Sequence, residues 1–186
     1  MIHKLKTIKK YRIPIILILI LFVAILLRII CFSGYSGSDD GAYAYYANKI
    51  VKGEFIIGKN YGIPAFPVRV GITFPAALLF KLFGTNEITL IAYPFFISIS
   101  GLFLIYFLGR KLFNTEVGLL SASIYSLLPI DVNSASMLLP DVPAAFWMTL
   151  GVLLLICCTE NKSNLFNKGK SILISPDRGF VSASDI

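Results

Sequence analysis

The strongest constraint in this sequence is a set of long apolar runs that almost no charge interrupts. From Ile13 to Phe32 the one charged residue is Arg28, and from Ile88 to Leu108 there is none. Val142–Thr159 is a third such run, with Trp147 inside it. A fourth, Val117–Ile130, is extended to residue 136 by the mildly polar stretch DVNSAS. About 20 apolar residues in a helix match the hydrocarbon thickness of a bilayer. Inside that layer the backbone must satisfy its own polar groups, which a helix does. A fifth run, Val70–Phe83, is shorter and contains Lys81, as interfacial or re-entrant segments do. The chain is 56% hydrophobic and 15% charged. Soluble domains are nearer about 45–50% and about 25%, so an ordinary soluble domain and a disordered chain are both excluded.

The charge then orients the spans. The net charge is +7, and five of the 17 basic residues (Lys4, Lys6, Lys9, Lys10 and Arg12) fall before the first run. Basic residues beside a span stay in the cytoplasm. Spans at about 13–32, 88–108, 117–136 and 142–159 put residues 1–12, Arg110–Lys111, and Lys162, Lys168 and Lys170 on that side. This leaves a long external loop, 33–87, and a short one near 131–141. Arg28 is expected to snorkel to the outer headgroups. The first run is too long for a secretory signal core and has no small-residue cleavage site after it, so it is read as retained. No groove-reading motif accompanies the basic residues, so nucleic acid is not an expected partner. Cys31, Cys157 and Cys158 lack metal-ligand spacing and are expected to be small buried hydrophobes.

The long loop carries two helical patterns. After Ser38, apolar positions at Tyr43, Tyr46, Ala47, Ile50 and Val51 repeat as an amphipathic helix does, and Gly53 ends it. A second helix is predicted from Pro75, with a stripe of Ala76, Leu79, Phe80 and Phe83 and a stop at Gly84. Both are expected in the membrane interface. The Gly- and Pro-rich stretch between them reads as loop. The fold class is therefore an all-α integral membrane protein, with about four transmembrane helices and two interfacial helices in the first external loop. The module covers 13–160, and 161–186 is expected to be a polar cytoplasmic tail.

Chemistry has few candidates. Asp39 and Asp40 open the first loop helix, where a carboxylate favours the helix dipole. The same pair beside the outer leaflet suits a general base, or a site for a metal or polar headgroup. Asp141, between Pro140 and Pro143, fits helix capping and also faces the same compartment. Asp131 reads as a membrane-boundary marker. Arg69 and Lys81 fit interfacial anchors or a phosphate contact. Phosphate-binding loops, zinc spacings and serine nucleophile elbows are missing from the sequence.

These pieces in order resemble the N-terminal part of GT-C fold glycosyltransferases that use lipid-linked sugars. More narrowly, they resemble relatives of dolichyl-phosphate-mannose protein mannosyltransferase, aminoarabinose transferase and the RgtA/B/C/D-like group. SDDGAYAYYANKIVKGEF resembles the family's acidic motif, and FPAALLFKLFG its external Pro-led helix. GLFLIYFLGRKLFN, GLLSASIYSLLP and LLPDVPAAFWMTL are similar to the spans that follow. The resemblance covers about residues 10–160. It implies an inverting, mannosyl-type transferase moving a sugar from a polyprenyl-phosphate carrier to an acceptor protein or glycolipid outside the cytoplasm of the cell membrane. It implies Asp39 and Asp40 as catalytic, and Asp141, Arg69 and Tyr43 as substrate-binding. A divalent metal on Asp40 and Asp141 is left open; PVRVGITFP lacks the acidic residue of the aminoarabinose transferase type. Such enzymes continue into further spans, so a truncated form is expected. The alternative is a non-catalytic multi-pass membrane subunit or inactive remnant.

Overall fold

The computed structural model describes residues 2–56 and 69–173, with side chains for 12–56 and 69–160. Most of the predicted loop, at 57–68, and the end of the tail, at 174–186, lie outside the described residues. Every regular element among the described residues is an α-helix. In chain order these are α1 (Ile2–Ile30), α2 (Asp39–Val51), α3 (Val70–Phe83), α4 (Glu87–Leu112), α5 (Thr115–Ser126), α6 (Pro129–Ser134) and α7 (Asp141–Leu173). The stretches Arg12–Ile30, Glu87–Leu112 and Asp141–Glu160 are long and apolar enough to cross a membrane. The chain is an all-α membrane protein.

The run predicted as the third span is divided. α5 starts on Asn114, whose side chain accepts a hydrogen bond from the Val117 amide at 2.9 Å. It stops before Pro129, because a residue preceding proline is pushed out of the helical region, and Leu128 is extended (φ −67°, ψ 112°). Pro129 then opens α6, where its missing N–H is not needed. α4 is capped by Asn86 and Thr89, which bond reciprocally at 2.9 and 3.1 Å. It ends with Arg110 and Lys111 in its last turn, where cations offset the helix dipole.

The chain divides into two compact units, Met1–Thr149 and Leu150–Ile186. The second contains the rest of α7, which continues beyond the apolar stretch Asp141–Glu160 to Leu173. No proline interrupts residues 160–173, so nothing breaks the hydrogen-bond ladder.

The first unit has two cores. One joins α2 and α3: Tyr43, Tyr46 and Ala47 pack against Ile72, Ala76, Ala77 and Phe80, with Leu90 and Leu138 closing the cluster. The apolar stripes of the two loop helices thus face each other. Gly53 and Gly84 end these helices with φ of 70° and 82°, a conformation glycine adopts without steric cost. α3 begins five residues before Pro75, and Phe83 is exposed rather than part of its buried stripe. Proline leaves the carbonyl four residues back without its helical donor. That carbonyl belongs to Gly71, and the Tyr93 hydroxyl donates to it at 2.9 Å.

The second core joins α1, α4 and α5 through Ile20, Ala24, Leu102, Tyr106 and Ala122. Arg28 does not snorkel. It is 2% exposed and ion-paired with Asp131. Its Nε donates to Ser98 Oγ at 2.7 Å and its Nη1 to the Ala24 carbonyl at 2.9 Å. Asp131 is buried as well, not a boundary marker; Ser98 and Tyr125 also donate to it. An arginine in apolar surroundings is stabilised more by a buried carboxylate than by a reach its neighbours block. The three cysteines, expected buried, are exposed: Cys31 just after α1, and Cys157 and Cys158 on α7.

Candidate functional site

Asp39 and Asp40 are adjacent in sequence and opposite in surroundings. Successive residues on a helix point about 100° apart, so one carboxylate turns inward and the other outward. Asp40 is fully buried. Its Oδ2 accepts from the Ser36 amide at 2.7 Å, and its Oδ1 from the Ser36 hydroxyl at 3.0 Å and the Gly41 amide at 2.9 Å. Ser38, at the N-cap position, makes no side-chain cap bond, so Asp40 closes this turn instead. Asp39 is exposed, and no hydrogen bond among the described residues reaches its carboxylate.

Arg69 sits at the start of α3. Its guanidinium donates to the Tyr43 hydroxyl and lies over the Tyr43 ring, 6.0 Å from the centroid. Tyr43 is buried on the inner face of α2, one turn after Asp39. The bond to Tyr43, followed by the charges of Asp39 and Asp141, raises the Arg69 pKa further above its ordinary value. The cation is therefore permanent, and both carboxylates act on it. Asp141 is exposed in the first turn of α7. The Pro140 carbonyl accepts from the Ala144 amide at 2.8 Å, so the helix starts without help from the Asp141 side chain. Lys81 is exposed at the other end of α3 and joins none of this.

Arg69 also opens onto apolar space. A cavity of about 300 Å³ lies between Arg69, Pro140, Pro143 and Trp147. A second, of about 490 Å³, is lined by Phe74, Pro75 and Tyr93 and shares Gly71 and Trp147 with the first. The two apolar cavities adjoin at Gly71 and Trp147, and Arg69 lines the first. The Trp147 indole N–H donates to the Tyr93 hydroxyl at 3.4 Å.

Both oxygens of Asp40 already accept hydrogen bonds from Ser36 and Gly41, and the charges of Asp39 and Asp141 act on the Arg69 cation. Among the described residues no three His, Cys, Asp or Glu side chains cluster as metal ligands. What the sequence reading missed was the Arg28–Asp131 pair. The available signal was two opposite charges at the ends of apolar runs, where each needs a partner.

Three helices long and apolar enough to cross a membrane, in a chain whose regular elements among the described residues are all α-helices, define a membrane protein. A family model described as dolichyl-phosphate-mannose-protein mannosyltransferase matches residues 70–169, more than half of the chain, and the chain belongs to that family. The matched range holds α3 to α6, most of α7 and Asp141; Asp39 and Asp40 precede it. Comparison with curated proteins and with solved structures gave no match.

Proposed function

We propose that this chain carries the donor-side half of a sugar-transfer site, acting on a mannose-type sugar held on a polyprenyl phosphate. The observation that carries this reading is Arg69, which bonds Tyr43, feels the charges of Asp39 and Asp141, and lines an apolar cavity. A lipid-linked donor has three parts: an isoprenoid tail, an anionic phosphate and a polar sugar. The cavity matches the tail. The guanidinium matches the phosphate, since arginine offers a planar fork of donors to phosphate oxygens. The exposed carboxylates match the sugar and its acceptor.

In this reading Asp39 is the general base. It takes the proton of an acceptor hydroxyl while that oxygen attacks the anomeric carbon. The bond from the anomeric carbon to the phosphate oxygen breaks, and the lipid phosphate leaves with the electron pair. Arg69 offsets its charge, and Tyr43 holds Arg69 in place. Asp141 orients the sugar hydroxyls, and Asp40 shapes the turn that presents Asp39. The acceptor is a hydroxyl of a protein or glycolipid on the side opposite the basic N-terminus, which is cytoplasmic in this arrangement. Membrane delivery of the donor supplies the activated sugar without a nucleotide site.

The test is Asp39→Asn, assayed in membranes for mannose transfer from polyprenyl-phosphate mannose. Transfer is expected to fall by about 100-fold or more with membrane abundance unchanged. Transfer retained at the parent rate overturns the assignment.

A further inference from the structure

Arg28 and Asp131 are 103 residues apart, and so are Ser33 and Ser136. The second pair is joined twice: the Ser33 amide donates to Ser136 Oγ at 3.1 Å, and the two hydroxyls lie 2.7 Å apart. Two contacts with one offset mean that the exit of α1 and the exit of α6 run parallel and in register. Beyond these ties Asp39 follows Ser33 by six residues and Asp141 follows Ser136 by five, and the charges of both aspartates act on Arg69. Leu138, between Ser136 and Asp141, is fully buried in the core that holds Tyr43. The segments that lead to the two aspartates are therefore tied together where they leave α1 and α6.

The lower tie is made of buried charge, which needs a reason. Apolar side chains pack over a range of slips, whereas a guanidinium fork and a carboxylate meet well in one geometry. Here that geometry is fully specified. Arg28 reaches Ser98 on α4 and Asp131 on α6. Asp131 receives Ser98 on one oxygen and Tyr125 of α5 on the other, the latter at 2.6 Å. No buried side-chain polar atom among the described residues lacks a partner. Burying charge adds little net stability, and its best-attested benefit is register.

We propose that Arg28 and Asp131 form a positioning pair: by fixing α1 against α6 in one register, they set Asp39 beside Asp141. This rests on the reading of those two aspartates as site residues. The pair touches no substrate and acts through the segments it aligns.

The experiment measures the alignment itself. In a chain with Cys31, Cys157 and Cys158 changed to Ser, Asp39→Cys and Asp141→Cys are introduced together. Membranes are treated with a short bifunctional maleimide, and the linked peptide is quantified by mass spectrometry. Linkage is expected to be efficient in this parent and to fall about tenfold with Asp131→Asn or Arg28→Met. Arg28→Lys, which keeps the ion pair, is expected to retain more than about half of it. The double variant Arg28→Met/Asp131→Leu leaves no unpaired buried charge, so it accumulates, yet it is expected to lose the linkage too. Full linkage in the double variant overturns the proposal, as does its absence from the parent. Because the readout needs no catalysis, it succeeds or fails independently of sugar transfer in Asp39→Asn.

Discussion

The Arg69 guanidinium lies over the Tyr43 ring at 6.0 Å from its centroid and donates a hydrogen bond to the same residue's hydroxyl. The ring comes from α2 and the cation from the start of α3, so this contact joins the two loop helices at the candidate site. Beneath it the apolar stripes of both helices form one core. The exposed cation is thus held at one place, as a contact with a phosphate requires.

Tyr43→Phe separates the two contacts. The ring and its attraction for the cation remain, and the hydrogen bond is lost. Binding of polyprenyl-phosphate mannose in nanodiscs is expected to weaken about fivefold, the equivalent of about 1 kcal/mol. Arg69→Ala is expected to weaken it more and to remove most of its salt dependence; Arg69→Lys should fall between, keeping charge without the fork.

The pH dependence of that binding follows from the sign of the Arg69 shift. Its pKa is raised in the folded chain, so its contribution is complete below the ordinary value and fades only above the raised one. Both lie far above any assay pH. Donor affinity is therefore expected to stay flat between about pH 7 and pH 9, where the lipid phosphate is also ionised. A loss of affinity across that interval would mean that a different, titrating cation holds the phosphate.

Asp40→Asn is expected to act on stability where Asp39→Asn acts on rate. Asp40 accepts from Ser36 and Gly41 on both oxygens. An asparagine turns one acceptor into an NH2 group facing those donors. The loss of a charge-assisted bond in a buried turn costs about 1.5–3 kcal/mol. Thermal unfolding in detergent should show a clear fall in Tm for Asp40→Asn and little change for the exposed Asp39→Asn.

Most of the fold was legible from local pattern. Apolar length marked the three long helices α1, α4 and α7, and Gly53 and Gly84 marked the ends of the loop helices. The same kind of signal located Asp39, Asp40 and Asp141 at helix starts. It did not distinguish Asp39 from Asp40, because which side of α2 turns inward depends on α3, whose stripe lies about 30 residues away. Arg28 and Asp131 were harder. Each has an acceptable local explanation, snorkelling or a boundary, and their meeting depends on how α1, α4, α5 and α6 pack. The Leu127–Leu128 break was legible in principle from Pro129, but apolar continuity across it masked the proline's effect on its predecessor.

The packing of α4 against α5 gives the last prediction. A side chain built on Gly109 would meet the Gly118 Cα at 3.0 Å, and one on Gly118 would meet the Tyr106 carbonyl oxygen at 2.7 Å. The backbones touch directly, as small residues allow between membrane helices. Because the obstacle on the Gly118 side is backbone rather than a flexible side chain, Gly118→Ala must push the helices apart. The cost is expected to be about 1–3 kcal/mol, read as a lower Tm in detergent. Gly151, also helical, has nothing within 4 Å of its added Cβ. Gly151→Ala is therefore expected to be neutral or stabilising by up to about 1 kcal/mol, from helix propensity alone. Tm values for the two alanine variants that moved together would mean that α4 and α5 are not in backbone contact. Separation of α4 from α5 would also reach the candidate site, because Ser98 and Tyr125, on those two helices, both donate to Asp131.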